Sequence, residues 1–309
     1  MLAADTAQLF WRCIDALNKR DLAQAEAFGQ RLLMRGRNDP AVYQLMAQIR
    51  LSAGRVKEAE SFAYASLALR PDHAATLLLA GQIAWAAGDM ALAEARFRKA
   101  TDGTPQLPHA AFALCTLQIE MGSEWQTLLE TLYQRFQNNG AGWVEIGRTL
   151  ERKGETQAAL AAYDQAARTI NSAPLHSARG GVLHGEGHLE LAAAALHRAV
   201  TIDPNFVLAW FKLGLLRQDQ RDLIGAVVAY QRALALRPDL AEAETNLGVV
   251  LQELGDLASA KRAYGRAILL RPDSFGSIAQ ALTMAPTGEV WMELSALRAH
   301  LENEGRLAR

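Results

Sequence analysis

A chain of 309 residues with a formal net charge of −1 offers no electrostatic case for binding nucleic acid or an anionic membrane. Its two cysteines, Cys13 and Cys115, are too few for a disulfide framework or a thiolate metal site. No apolar run approaches the roughly 20 residues of a membrane span, and the opening MLAADTAQLF has no basic segment leading into an apolar one. The expectation is a soluble, cytoplasmic protein without a signal peptide.

Helical periodicity begins near Thr6 and is punctuated at regular intervals by Gly, Asp and Pro. In residues 6–39, Asp21 opens a second helix with Ala25 and Leu32 on its packing face, and Asn38-Asp39-Pro40 closes it. Residues 40–73 repeat the arrangement with Tyr43, Met46, Ala47, Gly54, Ala59, Ala63 and Pro71. Residues 74–107 do so with Gly81, Gly88, Asp89, Ala93, Phe97, Ala100 and Pro105. Cys13 and Cys115 fall at the same small packing position, which predicts buried, reduced thiols. The next unit, 108–139, keeps Leu114, Cys115 and Gly122, then puts Thr127 and Thr131 where a small residue and an aromatic belong. It reads either as a joint between two halves (6–139 and 140–274) or as a degenerate repeat in an unbroken stack.

The pattern resumes with Trp143, Ile146, Gly147, Gly154, Ala159, Tyr163 and Ala166. It continues, one residue out of step, with Gly180, Gly187, Ala192, Leu196, Ala199 and Pro204. It is clearest last: Trp210, Leu213, Gly214, Ala226, Tyr230, Ala233 and Pro238 recur 34 residues on as Glu244, Leu247, Gly248, Ala260, Tyr264, Ala267 and Pro272. In the unit that begins at Val207, Trp210, Leu213, Gly214 and Arg217 share one face of a first helix, and Ala226, Tyr230 and Ala233 share one face of a second. This 34-residue signature resembles the tetratricopeptide repeat. The resemblance implies an all-α fold, a right-handed α-solenoid of about eight helix-turn-helix units used for binding and not for catalysis.

Residues 275–309 follow the repeats. A short helical run (275–284), a Pro286-Thr287-Gly288 break and a last helix from Glu289 put Val290, Trp291, Leu294, Leu297 and Leu301 on one face. This amphipathic helix either covers the open edge of the eighth repeat, with Trp291, Leu294 and Leu297 as capping residues, or enters an apolar groove of its own or a neighbouring chain.

No catalytic constellation emerges, so neither an enzyme nor a cofactor is expected. Gly180, Gly181, Gly185 and Gly187 coincide with packing and turn positions and follow no strand, against a phosphate loop. His176, His184, His188 and His197 cluster in one repeat, but Gly185 and Gly187 interrupt the helical face that His184 and His188 would need to share as metal ligands. The informative surface is the inner stripe of the first helices, which in tetratricopeptide proteins lines the groove for a partner peptide. The residues expected there are Phe10, Leu17, Leu51, Leu78, Gln82, Trp85, Phe112, Ile119, Val144, Arg148, Phe211 and Asn246. The stripe is apolar toward the N-terminus, which predicts an exposed patch for a partner, unless curvature packs these side chains against one another.

The clamp by which some tetratricopeptide proteins grip a C-terminal carboxylate needs Lys, Asn and Arg where this chain has Phe10, Ile14, Leu45, Ala75 and Leu79. The asparagine ladder of the O-linked N-acetylglucosamine transferase groove is represented only by Asn246, although the last two repeats otherwise resemble that enzyme's. Three roles compete. The first is a non-catalytic scaffold holding an amphipathic helix or extended segment; the second is a recognition subunit for a separate glycosyl- or sulfotransferase; the third is a self-assembling scaffold, hence a homo-oligomer. None calls for nucleic acid or membrane insertion.

Overall fold

The computed structural model describes residues 2–35, 38–103, 108–284 and 294–307, and among these every regular element is a helix. The chain divides into two compact units, Met1–Gly154 and Glu155–Arg309. The first contains α1 (Leu2–Asn18), α2 (Leu22–Arg35), α3 (Pro40–Ser52), α4 (Val56–Leu69), α5 (Ala74–Ala86), α6 (Met90–Gly103), α7 (Pro108–Met121), α8 (Gln126–Arg135) and α9 (Gly140–Arg152). The second contains α10 (Thr156–Ala167), α11 (Ala173–Gly185), α12 (Leu189–Ile202), α13 (Val207–Asp219), α14 (Leu223–Leu236), α15 (Ala241–Glu253) and α16 (Leu257–Leu270). After a 3-10 turn at Pro272–Ser274 come α17 (Phe275–Met284) and α18 (Leu294–Leu307).

Helices pair as the repeats require: α1 with α2, α3 with α4 and α5 with α6, then α11 with α12, α13 with α14 and α15 with α16. The turn inside each repeat has one residue with positive φ. It is glycine in six repeats, from 69° at Gly122 to 85° at Gly88, and arginine in two, Arg20 at 59° and Arg221 at 62°. A left-handed residue ends one helix and releases the chain into the next. Asp21, Asp89, Asp222 and Asp256 follow it and accept from a backbone N–H three residues on, capping the second helix.

Inside the repeats the glycines of the first helices admit the rings of the second. A Cβ added at Gly214 or Gly248 would stand 2.5 Å from the Tyr230 or Tyr264 ring, and Gly81 faces Phe97 in the same way. These rings are fully buried. Their hydroxyls are satisfied by a second 34-residue regularity: Tyr230 donates to Gln218 Oε1 at 3.0 Å and Tyr264 to Gln252 Oε1 at 2.9 Å. Phe97 has no hydroxyl, and Trp85 meets it edge-on at 6.3 Å from the corresponding position.

The fourth repeat is altered in the second helix, as its sequence suggests, and by a different set of residues. α8 has 10 residues, buries Leu129 and Leu132, and leaves Thr127 exposed and Thr131 half-buried. It makes only slight contact with α7, which packs directly on α9. α9 is joined to the first unit by aromatic packing: Trp143 stacks on Tyr133 at 4.3 Å, meets Phe112 edge-on at 5.2 Å, and donates its indole N–H to the Phe136 carbonyl at 3.0 Å. The compact units therefore divide after Gly154, whereas the sequence pattern suggests a division at 139/140.

At the other end α18 lies against α16. Leu297 and Leu301 are fully buried with Tyr264, Ile268, Ile278 and Leu282. The approach is so close that a Cβ on Gly265 would collide with the Leu301 carbonyl, and one on Gly305 with the backbone of Gly265 and Arg266.

Candidate functional site

The expected inner stripe separates into buried, half-buried and accessible residues. Phe10 and Leu17 are half-buried against the core around Cys13 and Leu32, Leu51 packs on the cluster of Ala47 and Ala63, and Leu78 packs on the clusters of Phe97 and of Leu77 and Ala100. All four are half-buried, and none is among the exposed large hydrophobic side chains. Ile119, expected in the groove, is 2% exposed and belongs to the core of α7. That helix has no charged residue between His109 and Glu120, and it is buried on nearly every side.

What remains is more local. Between α5, α7 and α9 lies a hollow of about 170 Å³, lined among others by Gln82, Trp85, His109, Phe112, Thr116 and Glu145. It brings together three of the expected residues, Gln82, Trp85 and Phe112. Gly142 on α9 makes room for the floor, since a Cβ there would stand 2.5 Å from the Phe112 ring. Asn139 caps α9 by accepting from the Gly142 N–H at 3.3 Å, and Thr116 donates to the Phe112 carbonyl at 2.9 Å. Those polar groups are therefore engaged in the fold. Gln82, His109 and Glu145 are exposed on the rim. Val144 is half-buried and Arg148 exposed on α9, and neither lines the hollow.

A second hollow, of about 390 Å³, lies in the other unit beside Phe211, Thr245, Asn246, Arg271 and Ser277. It unites the expected Phe211 and Asn246. Two of its polar groups are engaged within the fold: Arg271 pairs with Glu242 at 2.9 Å, and Thr245 donates to the Ala241 carbonyl. Of the expected capping residues, Leu297 is buried against α16 and Leu294 is 61% exposed. Trp291 lies outside the described residues.

The four histidines of the sixth repeat go to separate partners. His176 bonds to Asn171 at 2.9 Å, His184 to Asp219 at 2.7 Å and His197 to Arg217 at 2.8 Å, while His188 occupies the cap position of α12 without a side-chain bond. Among the described residues no group of three His, Cys, Asp or Glu is placed to hold a metal ion. Cys13 and Cys115 are buried free thiols, and burial pushes them up to about 11 and about 12. Protonated thiols of this kind are poor nucleophiles. Among the described residues no helix is long and apolar enough to cross a membrane.

Sequence reasoning missed Glu145, Gly142 and the Gly265–Gly305 crossing. The signal for Gly265 was present, since the equivalent residue one repeat earlier is Gln231.

The tetratricopeptide repeat family matches residues 45–108, 222–255 and 241–274. No curated relative matches the chain. Among solved structures, the C-terminal part of a TPR repeat-containing protein from Cytophaga hutchinsonii is 14% identical at a TM-score of 0.54. It covers 77% of this chain and 99% of its own. A tetratricopeptide repeat protein from Parabacteroides merdae, also 14% identical, has a TM-score of 0.51 and covers 80% and 98%. YrrB, described as a TPR protein with an unusual peptide-binding site, is 18% identical with a TM-score of 0.43, covering 68% and 93%. At these identities the likeness is one of fold.

Proposed function

We propose that this chain of tetratricopeptide repeats is a non-catalytic scaffold that holds a segment of another protein, an extended peptide or one face of a helix, along the first helices of its N-terminal unit. The observation that carries the reading is the hollow between α5, α7 and α9, where Trp85 and Phe112 form an aromatic wall and floor beneath an accessible polar rim. Proteins built from these repeats generally act as interaction scaffolds. A concave site with an apolar interior and a few polar groups suits one anchoring side chain of a longer ligand.

The test is selection of binders from a displayed library of random peptides against the full chain. The selected peptides are expected to bind Trp85→Ala at least about tenfold more weakly, the loss typical of removing a central aromatic anchor. Peptides that bind both proteins equally, or an absence of binders, would overturn the assignment.

A further inference from the structure

We propose that the hollow between α5, α7 and α9 receives a cationic side chain, an arginine or lysine of the bound segment, with Glu145 as counter-charge and the Trp85 ring as wall. The inference rests on the reading that a partner segment lies along this surface.

The first argument is charge. Among the described residues Glu145 is the one carboxylate lining the hollow, and neither lysine nor arginine lines it. Three other acidic side chains of this unit have basic partners of their own. Glu120 is held by Arg152 and Lys153, Glu94 by Arg98 and Gln118, and Glu26 by Arg50 and Arg55. Glu145 is exposed and, among the described residues, forms no ion pair. Arg148 stands one turn further along α9, outside the hollow.

The second argument is the wall. Indole is the best aromatic partner for a cation, and a guanidinium can stack on its face while forking to a carboxylate. Gln82 adds an amide acceptor at the rim. The alternatives fit less well. A purely apolar anchor would desolvate Glu145 and Gln82 without compensation, and an acidic one would bring like charges together. A space of about 170 Å³ also admits one long side chain and no helix, whose diameter is about 10 Å. The hollow of the second unit differs in carrying a cation of its own, Arg271, paired with Glu242 and lined also by Asp273, and it has no indole wall.

The probe is N-acetyl-arginine N-methylamide, with the citrulline analogue as a neutral control of nearly the same shape. Binding is read from the indole N–H signals of the full chain labelled with nitrogen-15, the Trp85 signal being identified by its loss in Trp85→Phe. The arginine probe is expected to shift the Trp85 signal and the citrulline probe to leave it in place. Glu145→Gln, an exposed substitution that spares the fold, is expected to reduce the shift roughly threefold or more. Equal shifts with both probes, no shift with either, or a shift indifferent to Glu145→Gln would overturn the proposal. Its failure is separable from failure of the scaffold reading. Selected peptides that need Trp85 but carry no essential basic residue leave the scaffold standing, whereas an arginine response without any peptide binder leaves only the cation site.

Discussion

The Tyr264 hydroxyl is buried 12 residues from the amide that satisfies it, and the same arrangement links Tyr230 to Gln218. A buried phenol needs such a partner, so the polar residue at the end of the first helix and the aromatic of the second form one chemical unit. Gln252 is accordingly only 3% exposed. His176 makes a related point about protons. It is 8% exposed and bonded to Asn171, and burial, followed by the nearby Arg198 and Arg179, lowers its pKa below the usual 6.5. Folding therefore disfavours the charged imidazole. Its contribution to stability is complete above pH 6.5 and is lost as pH falls through the lower folded value. The urea midpoint of the full chain is expected to fall between pH 7 and pH 5, and His176→Gln to flatten that fall. An unchanged slope in the variant would remove His176 from the account.

Among the elements, α7 and α18 depart most from the repeat pattern. α7 is enclosed by its neighbours because its residues from Ala110 to Ile119 are apolar or small, apart from Thr116 and Gln118. The short α8 leaves α7 to pack on α9, and the aromatic group of Phe112, Tyr133 and Trp143 fills the space. This packing forms the floor of the candidate site. α18 depends on a helix crossing at the Gly265 and Gly305 backbones. Gly265→Val is expected to push α18 off α16. The loss includes the burial of Leu297 and Leu301, about 1.5–3 kcal/mol for each fully buried leucine. Proteolysis within residues 294–307 would accelerate and the urea midpoint would drop. Gly276→Ala, where an added Cβ meets nothing within 4 Å, is the control expected to change neither.

For the whole molecule, the consequence of a repeat architecture is that each end leaves an apolar side with no further repeat to cover it. In the second unit α18 does the covering. A chain ending at Gly288 would bare Tyr264, Ile268, Ile278 and Leu282. Light scattering is expected to show its mass rising with concentration while the full chain's mass stays constant. The opposite result, association of the full chain alone, would make α18 an assembly element.

Much of this organisation is legible in the residues alone, since helical periodicity and helix-breaking turns are local properties. The 34-residue recurrence, the glycine turns and the Asp caps specify helix pairs whatever surrounds them, and the same recurrence marks Tyr230 and Tyr264 as core. Gln82, Trp85 and Phe112 could be placed on one side of successive first helices for the same reason. Exposure is different, because it depends on how closely neighbouring helices approach. Only the tertiary packing could bury Ile119, absorb Phe10 and Leu17, and bring Glu145 to the rim beside Trp85. The contact of Gly265 with Gly305 is likewise a meeting of two helices distant in sequence, decided by backbone approach that no single periodicity records.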